Sequence, residues 1–115
     1  MPTLNEAAVL DMDQLRNVSM DDPELMRELV AALIEDTTAH IPMIQDAVEQ
    51  ADATKCARTA HYVKGACANV GAMSMAALLK TIELCAKTGD FCGCRTSLAN
   101  LSAELEKFSA QATGI

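Results

Sequence analysis

Aromatic side chains are scarce in this sequence, which has no tryptophan, one tyrosine and two phenylalanines. Glycine and proline are also few, with five and three residues, while helix-forming residues dominate the chain. This composition favours an all-α protein. Half of the 115 residues are hydrophobic, which is enough for the core of one domain. With so few aromatics, that core must be built mainly from Leu, Ile, Val, Met and Ala.

Long apolar runs and an excess of positive charge are both missing. No apolar run approaches the roughly 20 residues that cross a bilayer. The first residues, MPTLNEAAVLDMD, contain neither the basic nor the apolar region of a signal peptide, so we expect a cytoplasmic protein. The net charge of −7 argues against broad nucleic-acid binding, which needs a basic surface, and is compatible with a protein partner.

The cysteines do not indicate disulfides or a metal site. Their number is odd and no export signal is visible, so we expect reduced thiols that are buried as small hydrophobic side chains. Cys92 and Cys94 form the closest pair, but two further ligands at suitable spacing are not evident, and no metal is predicted. The five cysteines are Cys56, Cys67, Cys85, Cys92 and Cys94.

The N-terminal half of the chain shows two helix starts. Residues 1–8 lack a pattern and are predicted to be flexible, with one domain following over residues 9–115. A short helix is predicted from about Asp11. The next helix begins after Asp22, which can cap it, with Pro23 in the first turn. Pro42 is predicted to kink or briefly break this helix.

The C-terminal half predicts three more helices. One runs from about Asp52 to Gly71, the next is predicted to be capped by Ser74 and to end at Gly89, and Asp90 caps the last. Apolar residues of the last helix recur at spacings of 3, 4, 3, 4 and 3, which is typical of a bundle helix; they are Phe91, Cys94, Leu98, Leu101, Leu105 and Phe108. Because the loops between these helices are short, neighbouring helices should run antiparallel. The sequence therefore predicts an up-down antiparallel four-helix bundle with a short extra N-terminal helix.

The stretch AHYVKGACANVGA, residues 60–72, combines a core stripe with an unusual polar face. On a helical wheel at about 100° per residue, His61 lies nearly opposite the apolar stripe and is predicted to face solvent. The stripe consists of Cys56, Ala60, Val63, Cys67 and Val70. Within about 60° of His61 on the same wheel lie Ala57, Arg58, Lys64, Gly65 and Ala68.

This face suits the acceptance of an anionic group by the imidazole. Gly65 should cost the helix about 1 kcal/mol relative to alanine, yet it leaves room beside His61. Arg58 and Lys64 make the face locally positive. An exposed imidazole is largely neutral at pH 7 and can act as a nucleophile towards a phosphoryl group. His40, the second histidine of the chain, has no neighbouring Lys-Gly pair and is the weaker candidate.

The same stretch resembles the signature of the histidine-containing phosphotransfer (HPt) family of two-component phosphorelays. The signature runs His-x-hydrophobic-Lys-Gly and continues to a later glycine; here these positions are His61, Val63, Lys64, Gly65 and Gly71. The flanking helices resemble the family's in order, so the likeness covers roughly residues 9–110. Two positions depart from the common pattern, with valine at 63 in place of leucine and alanine at 66 in place of serine.

The resemblance implies a phosphocarrier without a kinase activity or an ATP site of its own. His61 would accept a phosphoryl group from a receiver-domain aspartate and pass it to another receiver, Lys64 would steady that group, and Gly65 would keep the site open. We expect Arg58 and Ala68 to contact the docked receiver. Mg²⁺ would belong to the receiver, so no cofactor is expected in this chain.

The expected partners are response-regulator receiver domains and a hybrid histidine kinase, with this chain as a monomer. Two alternatives remain at this stage: the phosphoacceptor module of a larger histidine kinase, and a non-catalytic helical adaptor.

Overall fold

A computed structural model describes residues 8–115, so the predicted flexible segment 1–8 lies outside the described residues except for Ala8. Within this range the chain forms helices and no strands. Their bounds are α1 Met12–Ser19, α2 Pro23–Glu49, α3 Ala53–Val70, α4 Met73–Lys87 and α5 Phe91–Ala112. The predicted all-α class and the short extra N-terminal helix are confirmed.

Four of these five helices begin at an aspartate whose carboxylate accepts a hydrogen bond from a backbone N–H of the first turn. Such caps satisfy N–H groups that have no partner within the helix. The four N-caps are Asp11, Asp22, Asp52 and Asp90. The predicted starts of α1, α2, α3 and α5 are therefore confirmed.

The predicted cap of α4 is wrong. The N-cap is Ala72, which offers no side-chain hydrogen bond, and Ser74 is already the second residue of the helix. The Ser74 hydroxyl instead donates to the Glu104 carboxylate of α5 at 3.1 Å. The reason lies in the preceding turn: Gly71 ends α3 in the left-handed conformation, at φ 99°, and only Ala72 separates it from α4.

Pro42 is predicted to kink or briefly break α2; the break is wrong, since the helix continues through this residue, and the kink stays a prediction. Proline lacks the N–H that would bond the Thr38 carbonyl, but both residues are exposed, so that carbonyl can bond water. Buried residues on both sides, including Thr37 and Ile44, anchor the two halves of the helix in the same core. Packing thus outweighs the loss of one helical hydrogen bond.

Contacts between the helices show that neighbours run antiparallel. Lys55 near the start of α3 pairs with Asp46 near the end of α2. Glu83 of α4 meets both His61 and Lys64 of α3, and Ser74 near the start of α4 meets Glu104 in the second half of α5. Because α2 also packs against α5, the four long helices close into a bundle, with α1 against α2 and α3.

The core stripe predicted for α3 is confirmed, since its five residues Cys56, Ala60, Val63, Cys67 and Val70 are all buried. The sequence also predicts one apolar stripe on α4, made of Met75, Leu78, Leu79, Ile82 and Cys85. This prediction is right in part: Met75, Leu79 and Ile82 are buried, whereas Leu78 and Cys85 are only partly so. Two residues outside the prediction, Glu83 and Ala86, are buried in α4.

The cysteines follow the prediction in part. All five are free thiols; Cys56, Cys67 and Cys94 are buried, whereas Cys85 is only partly buried and Cys92 is exposed on α5. Burial raises the pKa of Cys67 to about 11 and that of Cys94 to about 12, so both remain thiols at neutral pH. Within residues 8–115, no cluster of three or more His, Cys, Asp or Glu side chains is arranged to hold a metal ion.

Candidate functional site

His61 lies in the middle of α3 with 67% of its side chain exposed, as the wheel predicts. The five buried residues of α3 face the core and leave the histidine on the outer side of the helix. Its ring is nevertheless held in place: Nδ1 lies 3.1 Å and 3.3 Å from the two carboxylate oxygens of Glu83 in α4. An exposed ring with one fixed nitrogen offers its other nitrogen to solvent.

Glu83 is the centre of the site, and sequence reasoning missed it. It is only 8% exposed, and its carboxylate also accepts from Lys64 Nζ at 2.8 Å and from Lys87 Nζ at 3.2 Å. The hydrogen bond from Lys64 is the main cause that lowers the pKa of Glu83 from 4.5 to about 2; Lys87 adds to it, while burial acts in the opposite direction. Glu83 is therefore ionised at neutral pH.

An ionised carboxylate fixes the tautomer of His61. A carboxylate can only accept hydrogen bonds, so His61 Nδ1 carries the proton that lies between the ring and Glu83. In a neutral ring the lone pair is then on Nε2. Among the described residues, Nε2 makes no hydrogen bond with a protein atom. The arrangement presents an unprotonated nitrogen to whatever approaches the exposed face of α3.

A groove between α3 and α4 adjoins His61. It has a volume of about 520 Å³, and its lining residues are Ala53, Thr54, Ala57, Arg58, His61, Glu83 and Lys87. Small side chains of α3 form much of its wall, while Arg58 and Lys87 contribute positive charge. The predicted residue Arg58 therefore shares a groove with His61, and Lys87 is a second cation that the sequence reasoning did not select.

The remaining predicted residues lie along α3 with different surroundings. Gly65 is exposed, and a Cβ built on it would meet no atom within 4 Å, so packing within the described residues does not require a glycine there. Ala68 is partly buried one turn further along and lines none of the groove around His61. Lys64, predicted to face an anion, is engaged by Glu83 in this structure.

His40 lies in a different environment. Its Nδ1 is 2.7 Å from the backbone carbonyl of Asp36, to which it can only donate, and 3.3 Å from the carboxylate of the same residue. Its ring lies 5.0 Å from that of Tyr62, whose pKa is raised chiefly by the charge of Asp36. Within residues 8–115, Asp36 forms no ion pair with a lysine or an arginine, so its negative charge beside the ring makes His40 a poor place for a phosphoryl group.

A signal for Glu83 does exist in the sequence, although it is weak. Glu83 follows the buried Leu79 by four residues, which puts it on the inner side of α4, and it precedes Lys87 by four. Taken alone, such a Glu-Lys pair is ordinarily an exposed feature of a helix surface. Its contact with His61 depends on how α3 and α4 pack, over a separation of 22 residues.

Comparisons with known proteins identify solved structures that share the fold of this chain. A structure of histidine-containing phosphotransfer protein B from Pseudomonas aeruginosa PAO1 superposes with a TM-score of 0.82 at 21% identity, over 96% of this chain and 99% of that one. A putative histidine-containing phosphotransfer protein from rice gives 0.82 at 22% identity, over 91% and 79% of the two chains. At this identity the likeness establishes the fold.

A third solved structure, the histidine-containing phosphotransfer protein MtHPt2 from Medicago truncatula, gives a TM-score of 0.78 at 23% identity, over 92% of this chain and 78% of that one. Comparison with curated protein sequences gave no significant match. The family model described as Hpt domain matches residues 28–111, which include His61 and the helices that support it. The chain therefore belongs to the Hpt domain family, and its role is that of an intermediate in a phosphorelay.

Proposed function

We propose that His61 is the phosphoacceptor and that it carries a phosphoryl group from one receiver-domain aspartate to another. The observation that carries this proposal is the bond between His61 Nδ1 and the buried carboxylate of Glu83, because it leaves Nε2 unprotonated on an exposed face. A nucleophile needs this combination of a free lone pair and access from solvent.

In the proposed reaction the Nε2 lone pair attacks the phosphorus of the receiver's acyl phosphate. The bond between that phosphorus and the aspartate oxygen breaks, and its electron pair returns to the aspartate as a carboxylate. The imidazole becomes positively charged, and Glu83 is placed to stabilise that charge through Nδ1–H. Transfer to the next receiver runs through the same steps in reverse.

The cations around His61 suit the negative charge of the phosphoryl oxygens. Lys64 shares the Glu83 carboxylate with His61, so its ammonium is held beside the ring, and we propose that it stabilises the transferred group. Arg58 and Lys87 line the adjoining groove. Gly65 has open space on its outer side, which supports its proposed role in letting a receiver approach; a contact at Ala68 is proposed with it.

The partners in this proposal are response-regulator receiver domains and a hybrid histidine kinase that phosphorylates the first of them. Mg²⁺ would be held by the receiver, so this chain would need no cofactor and no ATP site of its own. A monomer is expected to suffice, because the site is built from one chain. None of the described helices has the length and apolarity to cross a membrane, and a cytoplasmic location stays a prediction.

The decisive experiment compares the two histidines of the chain. Purified receiver domains carrying labelled phosphoryl groups are mixed, with Mg²⁺, with the wild type, His61→Gln and His40→Gln. We expect rapid, acid-labile labelling of the wild type and of His40→Gln, and none of His61→Gln. Labelling of His61→Gln, or its loss in His40→Gln alone, would contradict the assignment. If receivers fail but a histidine kinase with ATP labels His61, the chain is a kinase-fed module instead.

A further inference from the structure

One edge of α4 carries an exposed apolar residue between two cations. Leu84 has 54% of its surface exposed and is, with Met20, Met43 and Tyr62, one of four large hydrophobic residues that are exposed among residues 8–115. Lys80 lies four residues before it and Lys87 three residues after it, so both flank Leu84 on the helix surface. We call Lys80, Leu84 and Lys87 the α4 edge.

The α4 edge adjoins the site of His61. Leu84 directly follows Glu83, whose carboxylate contacts the imidazole, and it lies about 100° further around α4, towards solvent. Lys87 both belongs to this edge and bonds Glu83. A globular partner that docks over the α4 side of His61 would therefore also cover Leu84.

Charge is unevenly distributed around His61. On a chain of net charge −7, five of the nine Lys and Arg residues lie on α3 and α4, where Glu83 is the one acidic residue: Lys55, Arg58, Lys64, Lys80 and Lys87. The opposite flank, a groove between α2 and α3, carries the carboxylates of Glu35 and Asp36. Within residues 8–115, Lys80 makes no ion pair, so its charge is available to a partner.

We propose that the α4 edge is a docking contact that orients the receiver domain over His61. This inference rests on the proposed function. A receiver that holds Mg²⁺ beside its aspartate needs carboxylates there, because Mg²⁺ prefers oxygen ligands. Those carboxylates fit the flank of Lys80 and Lys87, whereas the acidic flank of α2 would repel them. Leu84 supplies the apolar contact at the centre, and the charged residues around it form the rim that keeps water away from it.

The test separates docking from the chemistry of His61. Phosphoramidate is a small phosphoryl donor that requires no protein docking, so its labelling rate reports on His61 itself. The measured quantity is the rate of transfer from a phosphorylated receiver divided by the rate of labelling by phosphoramidate. We expect this ratio to fall about 5- to 10-fold in Leu84→Ala, as for a central apolar contact of an interface.

Lys80 provides a second test of the same proposal, whose result should depend on the salt concentration. Lys80→Glu should lower the ratio at low ionic strength, and the deficit should shrink towards 0.5 M salt, because exposed charges act mainly on association. Met20→Ala removes a side chain that is 81% exposed at the end of α1, and Lys107→Glu makes the same charge change on α5. Both controls should keep the wild-type ratio.

The outcomes are distinct. An unchanged ratio in both Leu84→Ala and Lys80→Glu would overturn the α4 edge while leaving His61 as acceptor. Equal losses in the two controls would also overturn it, because the effect would not be local. If neither donor labels the wild type, the proposed function itself fails. A change in oligomeric state of Leu84→Ala on size-exclusion chromatography would assign the edge to a second copy of the chain and refute receiver docking.

Discussion

Replacing Glu83 by glutamine should change how the stability of the protein depends on pH. Its carboxylate is buried among Lys64, Lys87 and His61, and its pKa is about 2 in the folded protein against 4.5 ordinarily. A difference of 4.5 − 2, or about 2.5 units, at 1.36 kcal/mol per unit corresponds to about 3 kcal/mol of stability. For a single side chain this is a large share of a typical free energy of unfolding.

The lowered pKa of Glu83 determines the direction in which the free energy of unfolding changes with pH. Below pH 4.5 the unfolded chain begins to bind a proton at Glu83 while the folded protein does not, so unfolding becomes easier as the pH falls. The stabilisation is complete above pH 4.5 and is lost progressively as the pH approaches 2. Glu83→Gln has no such proton to bind, so its free energy of unfolding should fall less over this window, by up to about 3 kcal/mol.

Urea denaturation followed by circular dichroism, repeated between pH 2 and 7, measures this difference. Glu106→Gln, which removes an exposed carboxylate from α5, is the matched control for the change of charge. If the wild type and Glu83→Gln lose stability in parallel below pH 4.5, the carboxylate is not held by its lysines as the structure indicates. The reasoning is also refuted if Glu106→Gln reduces the pH dependence of the free energy of unfolding as much as Glu83→Gln does.

Three further substitutions test the backbone. Gly65→Ala should raise the free energy of unfolding by about 0.5–1 kcal/mol in urea denaturation, since no atom lies within 4 Å of the new Cβ; a loss would contradict this. Gly71→Ala should lower it by about 1–3 kcal/mol, because φ is 99° and the Cβ would lie 2.6 Å from the Asp11 carbonyl oxygen; neutrality would disprove that contact. Pro42→Ala should raise the free energy of unfolding by about 1–3 kcal/mol, and Tm with it, because alanine removes the helix penalty of proline and restores the hydrogen bond to the Thr38 carbonyl; an unchanged Tm would refute the cost assigned to Pro42.

The stripe of α3 was predictable because its spacing alone determines which side is buried. Five apolar or small residues at helical intervals leave a single outer face, and His61 has to lie on it. The caps were predictable for a similar reason: an aspartate directly before a periodic segment satisfies N–H groups of its own helix. Both features depend on residues that are neighbours in the sequence and lie within one or two helical turns of each other.

The predictions that were wrong concern positions whose local structure depends on contacts with a distant part of the chain. Ser74 has the side chain of a helix cap, but the Gly71 turn starts α4 too early for that, and Glu104 of α5 takes its hydroxyl. Pro42 has the chemistry of a helix breaker, but the core on both sides of it holds α2 together. Local propensity is a weak guide at such positions because tertiary contacts can be worth more.

Glu83 was missed for the same physical reason, and it shows why this site must be built across two helices. On α3 alone, His61 would be free to rotate and Lys64 would be one more solvated cation. The carboxylate from α4 holds both, and it stays buried and ionised only because Lys64 and Lys87 compensate its charge. The groups that would stabilise a phosphoryl group are therefore also the groups that permit a carboxylate at the α3–α4 contact, so a change to either lysine should affect stability and phosphotransfer together.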